Sequence, residues 1–290
     1  MFRIQMFFKI LFISRNCKMK IATLNPFMRT LTFFVFSLLL FGSCKEVSKA
    51  QKEITSAENS EPLASDWIFL FDGTSTEGWR GYNMETLPPG WIIKDSVLTY
   101  DTQLGLEQNY KGGKDILYGL EEFENFELYL EWKLPKGGNS GIFYHVKEGY
   151  DAPPVVAPEY QLIDDENYAS IHDLTAYNTS LGYTEKPEEL KPLQQTGADY
   201  AMHPPSPNKT LHPVGEWNAS KIVFTPRRVE HWLNGELIVS FVPWDAAWEA
   251  KKNSDKWKNS PAYGSFKTGY IALQDHASPI WFRNIKIKKL

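Results

Sequence analysis

Cysteine is nearly missing from this 290-residue chain, which has only Cys17 and Cys44. A disulfide framework and a thiolate metal site are therefore excluded from everything beyond residue 44. Acidic residues are missing from residues 1–43, whereas Arg3, Lys9, Arg15, Lys18, Lys20 and Arg29 all fall there. A long hydrophobic run is missing as well. The apolar stretch 31–41 is too short for a bilayer, which takes about 20 residues. Histidine is absent before residue 145, and all six histidines lie between His145 and His276. No Gly-rich phosphate loop, zinc-protease helix, Gly-x-Ser-x-Gly elbow or calcium-binding loop occurs.

The N-terminal pattern is that of an export signal: a basic stretch, a short apolar core, then Gly42 and Ser43. Leu40-Phe41-Gly42-Ser43-Cys44 resembles a lipobox, so residues 1–43 are expected to be cleaved and Cys44 lipidated. Met28-Arg29 and the run after it already make a full signal, so Met19 or Met28 is an alternative start. Residues 45–65 are polar and read as a tether, and residues 66–290 as one domain. The chain is expected in the cell envelope, periplasmic or at the outer membrane, held to the membrane by its lipid. The formal net charge of −4 becomes −10 once the six leader cations are gone, which argues against a nucleic-acid partner.

Aromatics are abundant, with 10 Trp, 14 Tyr and 18 Phe, and they favour strands and surfaces that stack on sugar rings. Short runs at 67–71, 91–100, 126–134, 140–146, 160–163, 221–225, 229–233, 237–242, 270–273 and 281–287 are punctuated by Gly, Pro, Asn and Asp. That spacing predicts an all-β sandwich. Strict alternation from Glu127 to Leu134 buries one face of its strand. Asn234-Gly235 between two strands is a hairpin signal. Residues 164–213 form a long polar, Pro-rich connection, and 244–260 reads as one short surface helix with Trp244 and Trp248 one turn apart.

The two-residue period also sorts the candidate site residues. Glu159 and Gln161 share one face of their strand, a carboxylate beside an amide suited to base work or hydroxyl recognition. Gln274 and His276 share the face opposite the apolar Ile271 and Leu273. His145 ends the strand Asn139-Ser140-Gly141-Ile142-Phe143-Tyr144-His145-Val146 and is read as either structural or chemical; His231, in a hairpin strand, is read as structural. Arg283 is placed either on a carboxylate or on a ligand oxygen. Glu-x-Asp-x-x-Glu, the local motif of a laminarinase-type glucanase, is absent.

Several ordered segments together resemble the bacterial 3-keto-disaccharide hydrolase (3-keto-glucoside lyase/hydratase) family. They are Leu70-Phe71-Asp72-Gly73 with Gly78-Trp79, Phe126 to Trp132, and Gly138-Asn139-Ser140-Gly141-Ile142-Phe143. Further on come Tyr160-Gln161-Leu162-Ile163-Asp164, Gly215-Glu216-Trp217-Asn218, His231-Trp232-Leu233-Asn234-Gly235, Ile271 to His276, and Trp281-Phe282-Arg283-Asn284-Ile285. The resemblance implies a concanavalin-like jelly-roll sandwich acting on sugars oxidised at C3. It also implies a site of Glu159 or His145 as base, with Asn139, Gln161, Gln274, His276 and Arg283 holding the sugar and enolate; a divalent metal ion on His and carboxylate oxygens is a further candidate. His145 departs from the arginine expected there, and the insertion around His172 to His203 looks like a subgroup feature. A non-catalytic carbohydrate-binding module and a conventional glycosidase of sandwich fold remain the alternatives.

Overall fold

The structure, a computed structural model, describes residues 66–183 and 189–290. The signal, Cys44 and the tether lie outside them. Thirteen strands are described. The first six are β1 (Ile68–Phe71), β2 (Trp79–Gly81), β3 (Trp91–Lys94), β4 (Val97–Tyr100), β5 (Ile116–Phe123) and β6 (Phe126–Lys133). The next four are β7 (Asn139–Val146), β8 (Glu159–Ile163), β9 (Asn218–Thr225) and β10 (Arg228–Leu233). The last three are β11 (Glu236–Phe241), β12 (Gly269–Leu273) and β13 (Ile280–Lys289). They form a jelly-roll β-sandwich of two antiparallel sheets. The larger runs β11-β10-β9-β6-β13-β4-β3, with β1 beside β13; the smaller runs β2-β5-β12-β7-β8.

Alternation builds the core between them. Leu128, Leu130 and Trp132 of β6, Ile222 and Phe224 of β9, and Phe282 of β13 meet Ile142 and Tyr144 of β7, Tyr160 and Leu162 of β8, and Ile271 and Leu273 of β12. Asn234 and Gly235 adopt φ of 49° and 85°, the paired left-handed conformation of a tight hairpin turn between β10 and β11.

Two bulges move residues off the face that simple alternation assigns. Between Tyr270↔Val146 and Ala272↔Phe143, β7 carries one residue more than β12. His145 takes φ 57° there, and its ring turns in against Phe224 at 4.3 Å and Phe126 at 5.8 Å. Gly269 makes the bulge possible, because a Cβ on it would lie 2.3 Å from the His145 carbonyl carbon. The second bulge, at Asn284 (φ 52°), lets Phe282 and Ile285 both be buried.

The connection after β8 has more order than its polar composition suggests. It holds α1's successors in chain order: after α1 (Thr102–Glu107) come α2 (Tyr168–Ile171) and α3 (Thr175–Ser180). Its last part returns along the free edge of β8, where Gln161 donates its backbone N–H to the Ala198 carbonyl at 3.1 Å and Gly197 donates to the Gln161 carbonyl at 2.8 Å. This strap blunts an otherwise open sheet edge. The expected single surface helix is α4 (Ala246–Lys252), capped by Asp245; its Trp248 is buried, so it is a packed element, and among the described residues three further short α-helices accompany it. After α4 the chain runs irregularly to Gly264, pinned by Gly264 N–H on the Val156 carbonyl at 2.8 Å.

Candidate active site

Register puts a polar row across the outward face of the smaller sheet. Ile116 pairs Leu273, Leu273 pairs Ile142, and Gly141 pairs Gln161. One residue along, Asp115, Gln274, Gly141 and Gln161 therefore lie side by side. The Gln274 N–H bonds the Gly141 carbonyl at 2.9 Å, and Asp275 N–H bonds Asp115 Oδ1 at 2.9 Å. The adjacent row is apolar: Leu117, Ala272 and Phe143 pack with Tyr82, Val156 and Ala157.

Glu159 stands where the two rows meet. It pairs with Phe143, and its side chain lies over Gly141, where an added Cβ would come within 2.2 Å of Glu159 Oε1. Glycine at 141 is thus a matter of space, to let the carboxylate lie on the sheet. Gln274 Nε2 donates to Glu159 Oε1 at 3.1 Å. Glu159 is only 5% exposed. Burial pushes its carboxyl well above the usual range, Lys256 opposes that shift, and Asp115 and Asp199 add to it. Asp115 is itself pushed up to about 7 by burial, against the pull of the Asp275 N–H.

The irregular segment after α4 supplies the far wall. The Lys256 ammonium lies 4.4 Å from the Tyr200 ring centre and 4.9 Å from that of Trp257, and donates to the Tyr200 hydroxyl at 3.3 Å. Tyr200 in turn donates its N–H to the Glu159 carbonyl at 2.9 Å. Burial depresses Lys256 and Glu159 holds it up. Tyr263 stacks on Trp257 at 4.0 Å. The Tyr263 hydroxyl, Trp257 Nε1, Asn139 Oδ1 and Asp199 Oδ1 are buried polar atoms without a hydrogen-bond partner. Buried polar groups are nearly always satisfied, so each of these atoms has room for a water or a polar ligand as its partner, as do Trp91 Nε1, Asn125 Oδ1 and Asn178 Nδ2 elsewhere.

Of the residues singled out from sequence, Glu159, Gln161, Gln274 and Asn139 come to this face. Asn139 Nδ2 reaches the Tyr168 hydroxyl at 3.2 Å, which ties α2 to the end of β7. Half-buried His276 follows Asp275, its basicity lowered by burial and by His172 nearby. His145 does not join Glu159: the bulge sends it into the core, where its Nε2 meets the Glu124 carbonyl at 2.9 Å and burial lowers it to about 4. Arg283 lies on the outward face of the other sheet, bonded to Glu131 at 2.6 Å and stacked 4.1 Å over Trp217. His231 is structural, buried between Tyr160 and a Gly197 carbonyl at 3.0 Å. Among the described residues no three His, Cys, Asp or Glu side chains converge as a metal cage.

Sequence reasoning missed Asp115, Lys256, Trp257 and Tyr263. Asp115 precedes β5, whose sequence Ile-Leu-Tyr-Gly-Leu-Glu-Glu-Phe breaks alternation. Lys256 sits among lysines in a stretch that reads as solvated surface. A cavity of about 350 Å³ lies elsewhere, lined by Trp132, Asp165, Lys209, His212 and Asn218 among others, and contains none of the polar row.

Residues 66–288 match the model of the 3-keto-alpha-glucoside-1,2-lyase-like domain. The chain is 32% identical over 273 residues to a 3-keto-disaccharide hydrolase of Bacteroides thetaiotaomicron, covering 86% of this chain and 88% of that one. Two solved structures of candidate glycosyl hydrolases from Parabacteroides distasonis superimpose with TM-scores of 0.66 and 0.56, at 37% and 26% identity. Each alignment covers 77% of this chain, and 94% and 99% of the respective structures. The chain belongs to the family of 3-keto-alpha-glucoside-1,2-lyase-like domains.

Proposed function

We propose that the protein is a carbohydrate-acting enzyme that breaks the glycosidic bond of a 3-keto-glycoside, with Glu159 as the base. The observation that carries this reading is one buried carboxylate, held by a single amide and faced by one cation, in a row that also holds a carboxyl near neutrality. The raised carboxyl of Glu159 makes its ionised form a stronger base than an ordinary carboxylate. With Glu159 raised to about 8 and Asp115 to about 7, the working pair near neutral pH is the minor form in which Glu159 is ionised and Asp115 keeps the proton that it gives. Family membership and the names of the relatives support the substrate class.

A ketone at C3 acidifies the hydrogen on C2. Glu159 takes that proton; the C–H pair forms C2=C3 and the carbonyl pair moves to the oxygen. The enolate then collapses: C3=O returns, C1=C2 forms, and the C1–O glycosidic bond breaks. The departing oxygen takes its proton from Asp115. Water adds its hydroxyl to C1 and gives its proton to Asp115, Glu159 returns its proton to C2, and the sum is hydrolysis with both carboxyls restored. Gln161 and Gln274 in the row, Asn139 on the same face and His276 two residues beyond Gln274 are assigned to sugar hydroxyls; His145 and Arg283 have no part.

The test incubates the purified protein with a 3-keto-glucoside and with its unoxidised parent, with and without chelator, and follows aglycone release. Release from the keto sugar alone is expected. Release from the parent alone points to a conventional two-carboxylate glycosidase, and binding without release to a carbohydrate-binding module.

A further inference from the structure

We infer that Lys256 is the fixed countercharge of this site: its ammonium faces the Glu159 carboxylate before proton transfer and the substrate enolate after it. The inference rests on the reading of Glu159 as base and adds a catalytic residue to it.

The argument begins with charge conservation. Proton transfer to Glu159 does not remove the negative charge but moves it, from the carboxylate to the C3 oxygen and then to the leaving oxygen. A buried negative charge with no partner is expensive at every one of those stages, and a preorganised cation lowers all of them. The groups whose charge reaches Glu159 are Asp115 beside β5, Asp199 in the strap, and Lys256 and Tyr263 in the segment after α4; β7 presents only Asn139, Gly141 and Phe143 on this face. Lys256 is the cation in that set.

The segment that carries it is held from several sides. Lys252 Nζ, at the end of α4 and four residues earlier, donates to the Pro261 carbonyl at 3.2 Å, and Trp244 Nε1 donates to the Gly264 carbonyl at 2.6 Å. Gly264 (φ 61°) lies so close under Trp248 that a Cβ would come within 2.6 Å of its ring. The ammonium stacks on Tyr200 and Trp257, and Lys256 as a whole is half-buried. Two polar atoms without partners, Trp257 Nε1 and the Tyr263 hydroxyl, come from the same segment. A lysine that served only to stack on rings needs no carboxylate opposite it; here the Tyr200 that it stacks on also holds the Glu159 backbone.

The experiment compares wild type, Lys256→Met and Lys256→Arg by kcat and by the pH profile of kcat/KM on a 3-keto-glucoside. In K256M, kcat is expected to fall about a hundredfold or more, the scale of losing one oxyanion-stabilising group. The acid limb of kcat/KM is expected to move to higher pH, because Glu159 loses the cation that favours its ionised form. K256R is expected to keep the limb in place and to lose no more than about tenfold in kcat. A K256M profile with an unmoved acid limb and kcat within about threefold of wild type overturns the inference. If K256M does not fold by circular dichroism, Lys256→Gln replaces it, since the amide still spans the two rings. Titrating the Glu159 carboxyl by 13C NMR separates the two ideas. If wild type leaves the keto sugar intact, the base reading fails; a Glu159 titration that does not move in K256M defeats the countercharge whatever the reaction is.

Discussion

Glu159 is held in the site at the expense of stability. Its folded-state carboxyl is raised, so the native protein binds a proton that the unfolded chain releases at lower pH. Stability contributed by the neutral form is complete below the ordinary carboxylate range and is lost as pH rises toward the raised value. Glu159→Gln keeps the shape and removes the charge, so it is expected to abolish turnover while raising Tm more at pH 8 than at pH 5. A Tm that rises equally at both values would show that burial of the charge is not what is being relieved. Gly141 gives the complementary case. Its backbone needs no left-handed conformation, so Gly141→Ala leaves β7 intact but sets a methyl 2.2 Å from Glu159 Oε1. We expect loss of about 1–3 kcal/mol, as for other overpacked sites, and at least a hundredfold drop in kcat. A G141A enzyme with wild-type kcat would mean that the carboxylate need not lie on the sheet.

At the scale of strands, what was legible followed from period two. The alternation of β6, the Asn234-Gly235 hairpin and the pairing of Glu159 with Gln161 all stand as the sequence implies. Bulges are where that period breaks, because one extra residue turns every later side chain over. His145, which the sequence leaves as either structural or chemical, turns into the core for this reason, and nothing in the residues around it announces the bulge except Gly269, a hundred and more positions away. β5 escaped notice because Gly119 and the Glu121-Glu122 pair interrupt its pattern, and with it went Asp115. Lys256 needed a tertiary fact, the return of an irregular segment over β8. His145 now has a structural expectation. Burial holds its ring neutral, with the folded value lowered to about 4. The stability it contributes is present above its ordinary titration range and is lost as pH falls toward that lowered value. His145→Leu removes the bond to the Glu124 carbonyl and should cost about 1–3 kcal/mol in denaturant unfolding, with kcat of the folded enzyme close to wild type. A large fall in kcat at unchanged stability would return His145 to the chemistry.

For the molecule as a whole, the fold serves the site through its edges. The larger sheet carries the bulk of the core face, and its own outward face is spent on ion pairs and stacked cations such as Arg283 on Glu131 and Trp217. The smaller sheet keeps its outward face for the polar row, roofed by the strap along β8 and by the segment after α4. Both roofing segments are irregular and owe their positions to backbone bonds with the sheet or with the loop before β8, so the site depends on the whole domain and not on a local motif. Without residues 1–43 the chain carries a net charge of −10 and has little electrostatic attraction to an anionic membrane surface, so we propose that any membrane attachment comes from a lipid on Cys44 rather than from a basic patch. The lipobox at Cys44 proposes where that lipid goes. Expressed in a bacterial host that lipidates exported proteins, the wild-type chain is expected to fractionate with membranes and to take up labelled palmitate, and Cys44→Ser to lose the label and appear in the soluble fraction with unchanged kcat. Labelling that persists in the variant would defeat the assignment of Cys44, and membrane association without label would point to the apolar run 31–41 as an uncleaved anchor.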